Sequence, residues 1–331
     1  MWIKILSYLI EPLITIGHLE IEFPGGEVRT FGDASHKKVK VTINDVKTLR
    51  SLVLNPDLAL GEAYMDKSIF IEDDNLYGLL SLFAKNISNQ PDSRMSRFMA
   101  FKSNLMFWFQ KSNLPTRSKK NVEHHYDLSP ELYKLFLDED QQYSCAFFQK
   151  EDDSLEQAQI NKKQHIAKKL LLEPGMTVLD IGCGWGGLAL SLAKRYDVNV
   201  LGITLSEEQK LIAEARAIRE GLQDKVNFKI LDYRTDFGTF DRIVSVGMFE
   251  HVGTRNYMNY FETIRNKLKE NGIALVHTIG RMSPPGNNSP WLEKYIFPGG
   301  YTPALSEMVA SVEKNHLCIT DIEVWRLHYA K

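Results

Sequence analysis

The feature that most constrains the fold is a glycine-rich turn between an apolar run and a helix-like segment. The turn reads DIGCGWGG over Asp180–Gly187 and overlaps the end of the apolar run Thr177–Ile181. Glycine lets a backbone turn sharply and approach a ligand with no Cβ atom in the way. A strand, a glycine turn and a helix in that order predict the first unit of a parallel α/β sheet with a ligand at the turn.

Strands and helices alternate after residue 122, which predicts a Rossmann-like parallel sheet with helices on both faces. The predicted strands are Thr177–Ile181, Val198–Ile203, Val226–Leu231, Phe240–Val246, Ile273–Thr278 and a sixth near Cys318–Trp325. The predicted helices lie near 187–196, 206–220, 256–270 and 304–316. Open α/β sheets bind ligands at the carboxyl ends of their strands, so the site is expected there.

Two features favour S-adenosylmethionine (SAM) over NAD at the glycine turn. Gly182, Gly184 and Gly187 also satisfy the dinucleotide pattern GxGxxG. A dinucleotide site expects an acidic residue at the end of the second strand, but that strand ends in GITLS. The third strand instead ends in Asp232-Tyr-Arg234, where an acid and an aromatic ring can flank an adenine. NAD stays open as the less favoured cofactor.

The N-terminal part of the chain predicts a small α+β domain over residues 1–85. Polar and apolar residues alternate at His18–Phe23 and Lys38–Ile43, which predicts strands, and helical stretches follow near 44–54 and 75–84. Residues 86–121 are interpreted as a linker with one helix, and 122–331 as the α/β domain.

Composition excludes several classes of protein. A net charge of −2 over 331 residues gives no general case for binding nucleic acid. Three cysteines without a CxxC pair indicate neither a disulfide framework nor a metal site, and they favour a cytoplasmic protein. The apolar runs of the N-terminus are interrupted by Lys4, Glu11 and Pro12, so they are too short to span a bilayer.

Seven motifs in order carry a family resemblance. They are VEHHYDLS (122–129), QYSCAFF (142–148), LDIGCGWGG (179–187), GITLS (202–206) followed by Gln209, FEHVG (249–253), HTIG (277–280) and YIFPGG (295–300). In these motifs the chain resembles cyclopropane fatty acid synthases and the related mycolic acid cyclopropane synthases. The resemblance implies the fold of class I SAM-dependent methyltransferases.

The resemblance and the loops above together predict two groups of site residues. Those predicted to bind SAM are Tyr143, Ser144, Asp180, Gly182, Cys183, Gly184, Gly186, Thr204, Leu205, Ser206, Gln209, Asp232, Tyr233 and Arg234. The resemblance also implies a bicarbonate ion held by a catalytic set of Cys145, Glu250, His277, the backbone of Ile279, and Tyr329.

The implied reaction adds a methylene group from SAM to the cis double bond of an unsaturated phospholipid acyl chain. A simple alkene is a poor nucleophile, so the methyl donor must be held close and in line. Methyl transfer leaves a carbocation, and a base, implied to be bicarbonate, removes a proton from the added methyl group so that the ring closes. Aromatic rings can stabilise the cation, and the candidates are Phe147, Phe148, Trp185 and Tyr301.

A lipid substrate implies transient contact with the inner face of the membrane. Basic residues at Arg117–Lys120, Lys162-Lys163 and Lys168-Lys169 are candidates for meeting anionic head groups, although charge runs are usually solvated surface. The apolar N-terminal segment and Phe107–Phe109 are further candidates. The resemblance also makes a homodimer possible.

Family members usually continue past the position that matches Lys331, so the domain is expected to lack the final antiparallel strand. Three alternatives therefore stay open. The chain is a non-catalytic fragment that binds SAM or lipid, or one half of a split enzyme completed by a second polypeptide, or a lipid methyltransferase that closes no ring.

Overall fold

The computed structural model describes residues 1–89 and 130–331. These residues belong to two compact units, one of 1–89 with 286–297 and one of 130–285 with 298–331. Most of the predicted linker lies outside the described residues, and so do Phe107–Phe109 and Arg117–Lys120 within it. The motif at 122–129 also lies outside them. The domain boundaries at 85 and 121 therefore stay predictions.

The first unit is an α+β unit with a four-stranded sheet. Its strands are β1 (Leu19–Glu22), β2 (Val28–Phe31), β3 (Val39–Ile43) and β4 (Ile69–Ile71), in the order β2-β1-β3-β4. Its helices are α1 (Trp2–Ile10), α2 (Val46–Leu54), α3 (Pro56–Met65) and α4 (Leu76–Asn89). The alternation seen in the sequence corresponds to β1 and β3, in which every second residue is buried.

The second unit contains a five-stranded sheet in which every neighbouring pair is parallel. Its strands are β5 (Thr177–Ile181), β6 (Asn199–Thr204), β7 (Val226–Ile230), β8 (Phe240–Val246) and β9 (Leu268–His277), in the order β7-β6-β5-β8-β9. The remaining helices are α5 (Pro130–Lys134), α6 (Leu155–Lys169), α7 (Gly187–Tyr196), α8 (Glu207–Arg219), α9 (Tyr257–Lys267), α10 (Pro290–Tyr295) and α11 (Leu305–Lys314), of which α10 belongs to the first unit.

Helices cover both faces of the parallel sheet, as predicted. Successive residues of a strand point to opposite faces, so β5 buries Val178 in one core and Leu179 in the other. The first core also holds buried residues of α6, α7 and α8, and the second those of α9. Both faces of the central strands are therefore dry, which explains why these strands are nearly continuous apolar runs.

The predicted sixth strand near Cys318–Trp325 is wrong. Residues 317–325 form no strand, and Ile319, Ile322 and Val324 are exposed. A strand needs a hydrogen-bonded neighbour, and no described residue pairs with this segment. Side chains attach it instead: Glu323 lies 2.7 Å from His165 Nε2, and Asp321 pairs with Lys169.

The segment 286–297 packs within the first unit, which the sequence does not predict. Lys294 Nζ and Tyr295 Oη both donate to Glu62 Oε1, at 2.5 and 2.8 Å. A Cβ atom on Gly61 of α3 would stand 2.4 Å from the Trp291 indole, so the absence of a side chain there admits the ring. In the described part of the chain, no helix has the length and apolarity needed to cross a membrane.

Asn86 offers a test of how the first unit is held together. Its fully buried amide accepts from the N–H groups of Thr15 and Ile16 and donates to the carbonyls of Ile16 and Leu82, each at 2.9 Å. Asn86→Ala leaves these backbone groups buried without a hydrogen-bond partner. We therefore expect a loss of about 2–4 kcal/mol in the free energy of unfolding, measured by urea denaturation.

The matched control is Lys85→Ala at an exposed position of the same helix, for which we expect a change within about 0.5 kcal/mol. Equal stability of the two variants would contradict the structural role of Asn86.

Candidate active site

A cavity opens at the carboxyl ends of β5, β6 and β7, and the glycine turn forms one wall of it. Gly182 has a φ of +80°, and a Cβ atom there would lie 2.8 Å from the Met248 side chain. Gly184 has a φ of +53°, and a Cβ atom there would meet no protein atom within 4 Å. Its backbone therefore faces open space, as required of a loop that a ligand approaches closely.

Most residues predicted to bind the cofactor line this one cavity. The twelve that do so are Tyr143, Ser144, Asp180, Gly182, Cys183, Gly184, Thr204, Leu205, Gln209, Asp232, Tyr233 and Arg234. They come from four separate segments. Three of these follow β5, β6 and β7, which the parallel sheet brings to the same edge, and the fourth contains Tyr143 and Ser144. The structure therefore places these residues together, and their role in binding SAM stays a prediction.

Gly186 and Ser206 do not line the cavity, and both have a structural role. A Cβ atom on Gly186 would stand 2.7 Å from the Phe228 ring, so this glycine permits close packing of the turn on β7. Ser206 caps α8, where its hydroxyl accepts from the Gln209 N–H at 3.3 Å.

Charged and polar groups in the cavity differ in how many of their hydrogen-bonding atoms have a partner. Asp180 is 2% exposed, its Oδ2 atom has no hydrogen-bond partner among the described residues, and burial raises its pKa to about 7. Asp232 is paired with Arg234; burial favours its neutral form, but the guanidinium holds the pKa of the carboxyl below its usual value. The Arg234 guanidinium also lies 5.5 Å from the centre of the Tyr233 ring. Asp180 is thus the group in this wall that most needs a ligand.

An ion-pair cluster that the sequence did not predict anchors the loop before Tyr143. Asp140 accepts from Lys163 of α6 and from Arg216 of α8. Arg216 Nη1 also donates to the carbonyl of Trp185 in the glycine turn at 3.0 Å. The cluster therefore ties two walls of the cavity to the helices behind them.

Glu250 connects the loops that follow β8 and β9. Its Oε1 atom accepts from the Ile279 N–H at 2.7 Å, and its backbone carbonyl accepts from the Tyr301 N–H at 2.8 Å. The side chain is 9% exposed, Oε2 has no hydrogen-bond partner among the described residues, and burial raises the pKa of the carboxyl. The structure therefore brings Glu250 and Ile279 together and leaves one carboxyl oxygen available.

His277 is the last residue of β9, and its imidazole ring is neutral. Burial and, secondarily, the charge of Lys162 lower its pKa to about 4, so the imidazole is neutral at pH 7. Its Nδ1 atom has no partner among the described residues, and its ring centre lies 5.1 Å from that of Trp325.

Cys145 and Tyr329 complete the predicted catalytic set. Cys145 is buried, and burial raises its pKa to about 11, which keeps the thiol protonated. Tyr329 is 57% exposed; burial of its hydroxyl, with smaller effects of Cys145 and Glu250, raises its pKa to about 12. These electrostatic effects indicate that the three groups lie near one another, although none of the five lines the cavity described above.

Of the four aromatic candidates, Trp185 lines the cavity. The Phe147 ring stacks on His165 with centres 4.5 Å apart, and it lies tilted against Trp325 with centres 4.9 Å apart. The Tyr301 hydroxyl lies 2.9 Å from Glu307 Oε2. Lys331 Nζ lies 5.4 Å from the centre of the Phe148 ring.

The assignment of Lys162-Lys163 to a lipid-facing surface is wrong. Lys162 is fully buried, and Lys163 is mostly buried against Asp140. Lys169 is paired with Asp321 and Glu323, while Lys168 is exposed. The sequence did contain the signal: Ala158, Lys162 and Ile166 are spaced four apart on the buried face of α6, and all three are inaccessible.

Comparison with known proteins places this site in a family. A family model described as mycolic acid cyclopropane synthetase matches residues 113–331, and one described as a domain of unknown function matches 6–94. The cyclopropane-fatty-acyl-phospholipid synthase of Escherichia coli K12 is 39% identical over 307 residues, which cover 89% of this chain and 77% of that protein. The chain belongs to the mycolic acid cyclopropane synthetase family.

Other relatives agree on the fold. The structure of the cyclopropane synthase MmaA2 from Mycobacterium tuberculosis matches with a TM-score of 0.61 and 35% identity, covering 64% of this chain and 79% of that one. The mycolic acid cyclopropane synthase CmaA1, solved with SAH and CTAB, gives a TM-score of 0.60 with the same identity and coverage. The second unit thus has the class I SAM-dependent methyltransferase fold.

A further relative is a probable fatty acid methyltransferase of Pseudomonas putida, which is 45% identical over 219 residues. That match covers 63% of this chain and only 55% of the Pseudomonas protein.

Gly184 gives a direct test of the cavity wall. Gly184→Ala places a methyl group in the space that the backbone faces, so we expect the affinity for S-adenosylhomocysteine to fall at least about tenfold by calorimetry. Gly175→Ala is the matched control, because Gly175 also has a positive φ (+82°) and an open Cβ position but does not line the cavity.

Both variants should lose roughly 1–2 kcal/mol of stability from backbone strain, and only Gly184→Ala should lose affinity. Unchanged binding in Gly184→Ala would mean that the ligand does not approach this turn.

Proposed function

We propose that this chain uses SAM to add a methylene group to the cis double bond of an unsaturated phospholipid acyl chain. The observation that carries the proposal is a group of buried polar atoms that have no hydrogen-bond partner among residues 1–89 and 130–331. They lie at one edge of the sheet and are Asp180 Oδ2, Glu250 Oε2 and His277 Nδ1. Buried polar atoms are rarely left unpaired unless a ligand or water completes them. The family of the chain supports the identity of that ligand.

The residues of the cavity fit SAM. Asp180 presents an unpaired carboxyl oxygen, Gly184 leaves room for close approach, and Asp232 with Tyr233 offers an acid and a ring for the adenosine. When bound, SAM supplies an electrophilic methyl group. The chain's own contribution is to fix that group in position and to keep water out, because water would trap a carbocation as an alcohol.

The residues of the catalytic set fit a small anion such as bicarbonate. Burial raises the pKa of the Glu250 carboxyl, which favours its neutral form, and a neutral carboxyl would donate a hydrogen bond to the anion. His277 is neutral and therefore offers one N–H donor. The thiol of Cys145 and the hydroxyl of Tyr329 stay protonated because burial raises the pKa of each. Bicarbonate held by these groups would supply a base for the proton lost on ring closure.

The proposed substrate requires the enzyme to work at the inner face of a membrane while residing in the cytoplasm. The family and the names of relatives support a lipid substrate. A homodimer belongs to this proposal. Completion of the enzyme by a second polypeptide beside the exposed segment after Leu317 is the alternative.

A second candidate is methyl transfer without ring closure. The Pseudomonas putida relative, named a probable fatty acid methyltransferase, favours it, since it is 45% identical over 219 residues. Both reactions need the same cofactor cavity, and they differ only in whether the added methyl group then loses a proton.

The proposal is tested by incubating the purified chain with SAM and vesicles of a monounsaturated phospholipid. We expect mass spectrometry to detect a lipid that has gained one methylene unit and lost its double bond, with no product from saturated vesicles. Binding of SAM without any product would contradict catalysis by this chain alone.

Glu250→Gln tests the catalytic set. The amide oxygen still accepts from the Ile279 N–H, but the amide can neither ionise nor exchange a proton with the bound anion, so turnover should fall about 100-fold or more. The affinity for S-adenosylhomocysteine should stay within about threefold. Glu262→Gln, at an exposed position of α9, is the control and should keep both properties. Equal losses of binding and turnover in Glu250→Gln would contradict its catalytic role.

A further inference from the structure

Lys162 is a buried cation that the reaction outlined above does not use. It is 0% exposed, and its Nζ atom donates to Ser144 Oγ at 2.7 Å. Among the described residues no carboxylate lies within ion-pair distance of Nζ, although other lysines of the unit form such pairs. An ammonium has three N–H donors, so this arrangement leaves donors and charge uncompensated.

Burying an unpaired ammonium is costly, and the surrounding charges compensate it only in part. Burial lowers the pKa of Lys162 to about 7; Asp138, Asp140 and Cys145 oppose the shift, while Lys163 adds to it. Asp140 is already paired with Lys163 and Arg216. Asp138 accepts from the Gln142 N–H, and burial raises its pKa. Neither acid therefore neutralises Lys162 by direct contact.

Lys162 contacts a residue of the cofactor cavity, and its charge acts on the catalytic set. Its partner Ser144 lines the cofactor cavity and directly precedes Cys145. Its charge also acts on the catalytic set, since it helps to lower the pKa of His277 and partly offsets the effect of burial, which raises the pKa of Cys145. At neutral pH no member of that set carries a positive charge. Lys162, whose pKa is about 7, is partly charged at that pH, and a bound anion would favour its charged form.

We propose that Lys162 is the positioning residue that makes the catalytic set an anion site. It fixes Ser144 and supplies the positive potential that a carboxylate-like monoanion needs in order to bind beside Glu250 and His277. The inference rests on the proposed function, for which bicarbonate is the anion. It explains how a dry site that contains a carboxyl group attracts an anion, because charge-assisted interactions are strong where water is excluded.

The test is Lys162→Met, which nearly keeps the length of the unbranched side chain and removes its charge. Isotopically labelled bicarbonate is titrated into the chain near neutral pH, and binding is followed by broadening of its carbon NMR signal. We expect the affinity for bicarbonate to fall at least about tenfold, and by a clearly larger factor than the affinity for S-adenosylhomocysteine, for which Ser144 is only one of the predicted contacts. In the vesicle assay the KM for bicarbonate should rise by a similar factor, with kcat at saturating bicarbonate largely kept.

Lys168→Met is the matched control, since Lys168 is exposed on the same helix, and it should bind bicarbonate as the unchanged chain does. Lys162→Gln provides a second neutral variant in case the first does not fold, and thermal unfolding checks both.

The outcomes separate the two proposals. Suppose that the unchanged chain binds bicarbonate and that a folded neutral variant binds it equally tightly. This result would overturn the role of Lys162 and leave the proposed function standing. A chain that makes the cyclopropane product but neither binds nor needs bicarbonate would overturn both the bicarbonate mechanism and the role of Lys162. A fall in kcat alone, with the affinity for bicarbonate unchanged, would also overturn the role of Lys162.

Discussion

The hydrogen bond between the Glu250 carboxylate and the Ile279 amide joins the loops after two neighbouring strands. It is 2.7 Å long, it is buried, and it leaves the second carboxyl oxygen without a partner among the described residues. Because β8 and β9 are parallel, both loops emerge at the same edge of the sheet. The remaining polar groups of the candidate site lie at this edge, and their incomplete pairing within the described part of the chain is what makes the edge a candidate binding site.

The parallel sheet could be predicted because strands that are buried on both faces are apolar along nearly their whole length. The limits of β5 and β8 agree with the predicted Thr177–Ile181 and Phe240–Val246, since dry strands read as apolar runs bounded by polar turns. The segment near Cys318–Trp325 has a similar composition, but a strand also needs a neighbour, and composition does not supply one. The packing of 286–297 within the first unit depends on the fit of Trp291 to Gly61, which no local pattern reveals.

The site was predicted in part. Motifs at strand ends located the loops of the cavity, because topology alone brings such loops together. The distinction between ligand contact and internal packing was not predictable for Gly186 and Ser206, whose neighbours are distant in sequence or are backbone groups. Lys162 was expected at the surface, facing either lipid head groups or solvent, because lysine usually lies there. Its burial follows from its position on the apolar face of α6, and that position gives the site its positive charge.

The central claim is that the site removes a proton from the methyl group it has just transferred. It is tested most directly with SAM whose methyl group is fully deuterated, an unsaturated phospholipid, and mass spectrometry of the product. Ring closure predicts a saturated product that keeps two of the three deuterium atoms. A product that keeps all three, as an open methyl branch, would contradict the claim and identify the chain as a lipid methyltransferase.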